Sequence, residues 1–217
     1  MSSDSVSDQI KIVVVEDHFA TLDGLVLGLS QEKDMLIVGH SAKADDGLRI
    51  LQEVKPDVLV LDLHLPGGNS PNEMLTEFLR FPTVEIVIFS AESRLAYIQE
   101  VLAMGVSAYL LKSERVSKVA ETIRLVMKGE RGIVSQELNA TYKKITPSEQ
   151  EVLHMLGQGM KYQEIARERN TSVATARKQC ETLILKLNLE NREHLITWAV
   201  KNGYGTLGAE TGNSLPA

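Results

Sequence analysis

A chain of 217 residues, 43% of them hydrophobic, is long enough for two ordinary domains and apolar enough for each to bury a core. Residues 1–130 carry a net charge of −8 and residues 131–217 one of +2, so only the second part is expected near a polyphosphate such as DNA. The single cysteine, Cys180, excludes an internal disulfide, and no segment reaches the ~20 apolar residues of a membrane span, so we expect a cytoplasmic protein with no membrane partner.

Short apolar runs alternate with helical patterns between residues 10 and 128, after a polar N-terminal arm at residues 1–9. The runs predict strands at Ile10–Val15, Met35–Val38, Val58–Leu61, Val84–Phe89 and Ala108–Leu111. Apolar residues at helical spacing predict helices at Leu22–Leu29, Gly47–Val54, Pro71–Arg80, Arg94–Met104 and Val116–Met127. Parallel strands need helical crossovers, so five βα units predict an α/β flavodoxin-like fold with a parallel sheet.

The third predicted strand ends in the residue around which this part of the chain is organised. Val58–Leu61 is wholly apolar, which is typical of a strand buried on both faces, and Asp62 follows it directly. The carboxyl ends of parallel strands meet at one edge of the sheet, where open α/β sheets bind their ligands. The ends of the other predicted strands bring to the same edge Glu16, Asp17, Ser90 and Lys112.

The chemistry of this set favours phosphoryl transfer. Three carboxylates suit a hard divalent cation such as Mg²⁺, which takes oxygen ligands and keeps several waters. With a cation and the Lys112 ammonium balancing the charge, the Asp62 carboxylate can attack a phosphoryl group in line and become an aspartyl phosphate. The Ser90 hydroxyl can then donate a hydrogen bond to a phosphoryl oxygen.

Residues 10–128 resemble the receiver domain of two-component response regulators. The resemblance rests on the adjacent acids Glu16 and Asp17 after the first strand, and on Asp62 with Pro66 four residues on. It also rests on Ser90 and on the run Ala108-Tyr109-Leu110-Leu111-Lys112. It implies that Asp62 is the phosphoacceptor and that a sensor histidine kinase is the donor. It also implies a Mg²⁺ site at Glu16, Asp17 and Asp62, a phosphoryl ion pair at Lys112, and a switch pair of Ser90 and Tyr109. Ser113 stands where the family often has proline, and the loop from Gly67 to Pro71 is looser than usual.

Two enzyme classes fit these residues less well. A phosphatase with an aspartyl nucleophile needs a second aspartate two positions on as acid and base, and His64 occupies that place. A nucleotide-binding fold needs a Gly-rich turn after the first strand, which this sequence lacks. The chain is therefore expected to catalyse only its own phosphoryl transfer and slow dephosphorylation. The two histidines near these residues, His18 and His64, are expected to be solvated loop histidines.

The pattern breaks at residues 129–144, which predict a linker with one short helix around Ser135 to Asn139. The run Thr146-Pro147-Ser148-Glu149 then predicts a capped helix start. Helices are predicted at Pro147–Gln158, Tyr162–Arg169, Val173–Leu187 and Arg192–Asn202. Four short helices with a tight turn before the third predict a small all-α helix-turn-helix domain at residues 145–203, followed by a disordered tail at residues 204–217.

Residues 145–202 resemble the DNA-binding domain of the NarL/FixJ class, also called LuxR-type. The resemblance rests on Ile145 to Leu153, Gly159, Glu164-Ile165-Ala166 and Lys186-Leu187-Asn188. Helical spacing predicts that one face of the third helix is a buried stripe of Ala176, Cys180, Leu183 and Leu187. The other face offers to double-stranded DNA the side chains of Thr175, Arg177, Lys178, Gln179, Glu181, Thr182 and Lys186. The resemblance implies that Arg177 and Lys178 make the main contacts.

This second part departs from the family pattern in ways that keep an alternative open. Ala176 replaces a common valine, Gln179 a common histidine, and Glu181 a residue that is often polar or basic. The resemblance implies a homodimer contact on the last helix, through Leu195, Ile196, Ala199 and Val200. We therefore expect a transcriptional regulator switched by Mg²⁺-dependent phosphorylation of Asp62. The alternative is a receiver-controlled regulator that acts through protein contacts, with weak or lost DNA binding.

Overall fold

The computed structural model describes residues 9–67, 70–138 and 145–205 of the chain. These residues divide into two compact units: the first holds residues 9–92 and 101–135, and the second holds residues 93–100 and 136–205. The polar arm up to residue 8, the linker residues 139–144 and the tail from residue 206 lie outside the described residues. No helix in the described ranges is long and apolar enough to cross a bilayer.

The first unit is built on a sheet of six parallel strands, which confirms the predicted flavodoxin-like fold class. Its strands are β1 (Ile10–Val15), β2 (Met35–Ser41), β3 (Val58–Leu61), β4 (Glu85–Ser90), β5 (Ala108–Leu111) and β6 (Ile133–Val134), in the spatial order β2-β1-β3-β4-β5-β6. Its helices are α1 (Phe19–Ser30), α2 (Ala44–Val54), α3 (Pro71–Phe78) and α5 (Val116–Met127), and α4 (Leu95–Ala103) spans the boundary between the two units. All four residues of β3 are buried, as a strand covered on both faces must be.

Strand β2 runs three residues past its predicted end at Val38. Its pairing with β1 shifts register between Ile12 and Val13, and the strand continues through Gly39 to Ser41. A Cβ atom on Gly39 would lie 2.6 Å from Cγ2 of Ile50, so a glycine lets α2 pack closely on this strand. A glycine followed by polar residues is typical of a turn, which is why the sequence predicted an earlier end.

The sixth strand is a correction to the predicted linker. Ile133 and Val134 pair with Ala108 and Tyr109 of β5, so the segment after residue 128 re-enters the sheet. Beyond the strand, the buried hydroxyl of Ser135 accepts a hydrogen bond from the backbone N–H of Leu111 at 2.8 Å. A two-residue strand is too short for an alternating pattern to reveal it in the sequence. Residues 136–138 are helical. Asn139, at the end of the short helix predicted around Ser135 to Asn139, lies outside the described residues.

The second unit contains the four helices predicted for a helix-turn-helix domain. They are α6 (Pro147–Gly157), α7 (Tyr162–Glu168), α8 (Val173–Lys186) and α9 (Arg192–Lys201). Thr146 caps α6 in a reciprocal capping box with Glu149, as the sequence predicted. The core joins apolar residues of these four helices with Leu95 from the first half of α4, which belongs to this unit.

Tyr204 extends the fold into the segment that the sequence assigned to a disordered tail. Its side chain is fully buried, it stacks on Trp198, and its hydroxyl donates to Oε1 of Gln99 at 2.7 Å. His154 contributes a ring nitrogen that lies 3.0 Å from the Tyr204 carbonyl oxygen. The Gly-rich sequence around Tyr204 hid this residue, because composition reports the average character of a segment and not the burial of one aromatic side chain.

We predict opposite effects on stability for two helix glycines. Gly47→Ala should lower the free energy of unfolding of the first unit by about 1 to 2 kcal/mol, because the new Cβ would lie 2.7 Å from Cγ2 of the strand residue Val15. Gly24→Ala, which meets no atom within 4 Å, should raise it by about 0.5 to 1 kcal/mol through helix propensity alone. Urea unfolding followed by far-ultraviolet circular dichroism checks both, and a stabilised Gly47→Ala variant would contradict the packing argument.

Candidate functional site

Three strand ends converge at the carboxyl edge of the sheet and place one ammonium between two carboxylates. Glu16 follows β1, Asp62 follows β3 and Lys112 follows β5. Lys112 Nζ donates to Oε1 of Glu16 at 2.8 Å and to Oδ2 of Asp62 at 2.9 Å. Both acids are about 1% exposed, so this pairing is what keeps two buried carboxylates together. The predicted convergence of Glu16, Asp62 and Lys112 is present.

The charges shift the proton affinity of Lys112. Burial lowers the pKa of its ammonium, but hydrogen bonds to Glu16 and Asp62, together with their negative charges, outweigh burial and raise the pKa above its ordinary value. Lys112 is therefore a fixed cation at any physiological pH. It is a positive group held where further negative charge at Asp62 would develop.

The acidic end of the site has the composition of a cation site. Glu16, Asp17, His18 and Asp62 each offer one ligand atom, and these atoms lie within 4.8 Å of one another. Oε2 of Glu16 is buried and has no hydrogen-bond partner among the described residues. A buried carboxylate oxygen without a donor needs a positive partner, and carboxylate oxygens are the ligands of hard divalent cations. The donor set of Glu16, Asp17 and Asp62 thus fits Mg²⁺.

His18 and His64 are both partly exposed, as predicted, but each makes a specific contact. Nδ1 of His18 lies 3.0 Å from Oδ1 of Asp17. Nδ1 of His64 lies 3.2 Å from Oγ of Ser90, while the His64 backbone N–H donates to Oδ1 of Asp62 at 3.1 Å. His64 therefore bridges Asp62 and Ser90, a link between two loops that the sequence did not reveal.

Ser90 and Tyr109 meet at one residue, Glu92. The backbone N–H of Glu92 donates to Oγ of Ser90 at 3.2 Å, and the Tyr109 hydroxyl donates to the Glu92 carbonyl oxygen at 3.0 Å. Both side chains are fully buried. Ser90 and Tyr109 therefore hold the backbone of the same residue from opposite sides.

The second candidate surface is the exposed face of α8. The predicted buried stripe is confirmed, since Ala176, Cys180 and Leu183 are fully buried and Leu187 packs against them. Burial raises the pKa of the Cys180 thiol, as expected for a core cysteine. The side chains on the exposed face are those of Thr175, Arg177, Lys178, Glu181 and Thr182, and Gln179 is half-buried.

Lys186 is placed differently from the other predicted contact residues. Its Nζ donates to both carboxylate oxygens of Glu149, at 2.8 and 2.7 Å, so it joins the end of α8 to the start of α6. Burial raises the pKa of Glu149, but hydrogen bonds from Lys186 and Thr146 outweigh it and hold this pKa below its ordinary value. Lys186 thus has a structural partner inside its own unit, which the sequence could not indicate for residues 37 positions apart.

Two guanidinium groups stand over the ring of Tyr162, the first residue of α7. Cζ of Arg177 lies 5.6 Å and Cζ of Arg192 lies 5.0 Å from the ring centroid, both within the range of cation–π attraction. The sequence analysis used Tyr162 only to mark a helix start. The missed signal was an aromatic residue at the first position of the helix before the predicted DNA-contacting helix.

The predicted dimer contact on α9 needs correction. Leu195 and Ala199 are fully buried in the core of their own unit, and Ile196 is half-buried against it. Only Val200 among the four is exposed, at 51%. Residues four apart share a helix face, and the sequence alone does not say whether that face packs within the domain or on a second copy.

Two family models together match most of the chain. The model described as "Response regulator receiver domain" matches residues 12–124, and "Bacterial regulatory proteins, luxR family" matches residues 143–199. Transcriptional regulatory protein DesR of Bacillus subtilis is 30% identical over 198 residues, covering 90% of this chain and 98% of DesR. Oxygen regulatory protein NreC of Staphylococcus carnosus is 26% identical over 211 residues, covering 88% of this chain and 97% of NreC.

Solved structures give the same picture of the fold. The RcsB response regulator of Salmonella typhimurium matches with a TM-score of 0.60 at 23% identity, over 88% of this chain and 98% of that chain. A structure described as a complex of the two-component response regulator RcsB with DNA matches with a TM-score of 0.59, also at 23% identity, over 88% of this chain and 97% of that chain.

We predict that Glu149 stabilises the second unit in a pH-dependent way. Because its pKa is lowered in the folded state, its stabilisation is present above about pH 4.5 and is lost as the pH falls through the folded value. Glu149→Gln should lower the free energy of unfolding at pH 7 by about 1 kcal/mol and flatten its decline below pH 5. Fluorescence of Trp198, the chain's only tryptophan, reports this unit in urea.

Glu168→Gln is the matched control, because Glu168 is exposed on α7. It should leave both the stability at pH 7 and its pH dependence within about 0.5 kcal/mol of the original protein. If the two variants gave the same curves, the pairing of Glu149 with Lys186 would not be the source of the stabilisation.

Proposed function

Because this chain belongs to the NarL/FixJ-class response regulators, which join a receiver domain to a LuxR-type DNA-binding domain and regulate transcription by binding DNA, we propose that phosphorylation of Asp62 controls its activity. The observation that carries the proposal is the position of Lys112, which binds both Asp62 and Glu16 at the sheet edge. A sensor histidine kinase in the cytoplasm is the proposed phosphodonor.

Glu16, Asp17 and Asp62 are the residues that would hold Mg²⁺ in this site. When bound, the ion supplies positive charge that neutralises the oxygens of the transferring phosphoryl group. The unpartnered buried Oε2 of Glu16 and the 4.8 Å spread of the ligand atoms support this assignment.

In the proposed transfer, a carboxylate oxygen of Asp62 attacks the phosphorus of a phosphohistidine on the kinase. The new O–P bond forms as the P–N bond breaks, the electron pair of the P–N bond stays on the ring nitrogen, and the imidazole leaves as the neutral ring when that nitrogen takes a proton from water. Lys112 keeps its charge and moves from pairing with the Asp62 carboxylate to pairing with a phosphoryl oxygen. Because Lys112 is already a cation, it needs no proton before it pairs with the phosphoryl oxygen.

The proposed switch uses the shared contact at Glu92. Ser90 is within hydrogen-bond distance of His64 Nδ1 and of the Glu92 N–H, and a phosphoryl group on Asp62 would offer it a stronger, anionic acceptor. Moving Ser90 toward that group would release Glu92, whose carbonyl oxygen binds Tyr109. Two arrangements of the same residues, favoured to different degrees by the phosphoryl group, suffice for a switch.

The output proposed for the second unit is contact of α8 with the major groove of promoter DNA. RcsB, a structural neighbour, has been solved with DNA, and α8 of this chain exposes Arg177 and Lys178. We leave Lys186 out of the proposed contacts because it is paired with Glu149. We propose that activation pairs two copies on DNA, through surfaces other than the buried Leu195 and Ala199.

We predict that Asp62→Asn abolishes phosphate uptake. Incubation with acetyl phosphate and Mg²⁺ should add one phosphoryl group to the original protein, detected by intact-protein mass or by retardation in a phosphate-binding gel. Asp62→Asn and chelation of Mg²⁺ with EDTA should each remove the added mass. Asp57→Asn should retain it, because the Asp57 side chain only accepts a hydrogen bond from the backbone N–H of Lys11 in β1. Uptake by Asp62→Asn would contradict the proposed phosphoacceptor.

We predict salt-dependent DNA binding that strengthens on phosphorylation. Arg177→Ala and Lys178→Ala should each weaken binding, by about 1 to 3 kcal/mol for a base contact and by a smaller, sequence-independent amount for a phosphate contact. A removed phosphate contact should also lower the salt slope by about 1. Fluorescence anisotropy over a salt series checks this. Absence of binding in either phosphorylation state would favour output through a protein partner.

A further inference from the structure

Tyr162 is the first residue of α7, and its ring contacts Arg177 on the exposed face of α8. Arg177 is one of the two residues that we propose contact DNA. The Arg177 guanidinium stands over the Tyr162 ring at 5.6 Å. Within the described part of the chain, the exposed side chain of Arg177 makes no ion pair or hydrogen bond. The aromatic ring is therefore the contact that restricts where this guanidinium can go.

The ring is itself fixed by a second arginine. Arg192, the first residue of α9, stands over Tyr162 at 5.0 Å, and its Nη2 donates to the Met160 carbonyl oxygen at 2.7 Å. Arg192 is half-buried, unlike Arg177. The contacts thus run from a backbone carbonyl through Arg192 to the ring and from the ring to Arg177, so they link an exposed side chain to the backbone of the unit.

The attraction is between a cation and a neutral ring. Burial raises the pKa of the Tyr162 hydroxyl, with a smaller raising effect from Cys180, so the phenol stays protonated near neutral pH. No phenolate charge is present to pair with either arginine. What remains is the negative face of the aromatic ring, which attracts a guanidinium while leaving the N–H donors at the edge of the guanidinium free.

We propose that Tyr162 is a positioning residue for DNA recognition, which holds Arg177 in the orientation that contacts base edges or phosphates. This inference rests on the proposed role of Arg177. A free arginine loses rotamer freedom when it docks on DNA, and an arginine already held over an aromatic ring loses less. The contact between Arg177 and the ring must survive in the complex for this to hold, since a contact that broke on binding would instead oppose recognition.

A double-mutant cycle tests the proposal on the full chain. The probe is a duplex selected from a random-sequence library by the original protein in the presence of Mg²⁺ and beryllofluoride. Tyr162→Leu should weaken binding to this duplex by about two- to fivefold when Arg177 is present and should have no effect when Arg177 is alanine. Tyr162→Phe keeps the ring and should bind as the original protein does.

Two controls separate positioning from folding and from charge. Trp198 fluorescence in urea measures whether each variant keeps the second unit folded. Arg167→Ala removes an exposed arginine of α7 that does not stand over the ring, so a later Tyr162→Leu change in that background should still weaken binding. If Tyr162→Leu unfolds the unit, the test is instead made on the original protein, by NMR of the side-chain Nε–Hε group of Arg177. The Tyr162 ring should shift this resonance through its ring current, and the shift should persist when the duplex is added.

The outcomes distinguish this inference from the function on which it rests. If Arg177→Ala leaves binding unchanged, the proposed DNA contact fails and the inference fails with it. If Arg177→Ala weakens binding but Tyr162→Leu acts equally in both backgrounds, only the inference is overturned. Tighter binding by Tyr162→Leu, or loss of the ring-current shift in the complex, would also overturn it, because the ring would then be holding Arg177 away from DNA.

Discussion

The receiver half of this protein depends on one arrangement of charge: the Lys112 ammonium bound to two buried carboxylates, Glu16 and Asp62. Without a cation between them, carboxylates this close and this buried would repel each other. The order of the strands makes the arrangement possible, because β1 and β3 are neighbours and β5 lies two positions beyond β3, with β4 between them. The topology of the sheet and the chemistry of its edge are therefore one constraint, since a different strand order would separate the three groups.

Much of the first unit could be predicted because its signals are local. A wholly apolar run reports a buried strand, and the residue after it lies at the sheet edge, so the positions of Asp62, Ser90 and Lys112 followed from the sequence. The contacts that join loops did not. Whether the ring of His64 faces solvent or Ser90 depends on the path of two loops separated by 26 residues, and β6 depends on pairing that a two-residue segment does not announce.

In the second unit, helices and caps could be predicted, but the partners of their side chains could not. Periodicity identified the buried face of α8, yet it could not tell that Lys186 turns back to Glu149 or that Leu195 packs inward. These outcomes depend on which helix lies opposite, and that is a property of tertiary packing. The same holds for Tyr162, whose importance comes from Arg177 and Arg192, residues that lie 15 and 30 positions away in the chain and on two other helices.

The sixth strand has a consequence for how the receiver half protects itself. An uncovered strand at the edge of a sheet offers its backbone to another chain, which is a route to aggregation. Here β6, a later segment of the same chain, pairs with β5 and covers its edge. Because β6 is only two residues long, it offers another chain little backbone to pair with. A receiver fragment that ended at residue 128 would expose the edge of the strand carrying Tyr109 and Lys112. The unit therefore ends at Ser135, whose hydroxyl binds the backbone of Leu111 just beyond the last pair of strands.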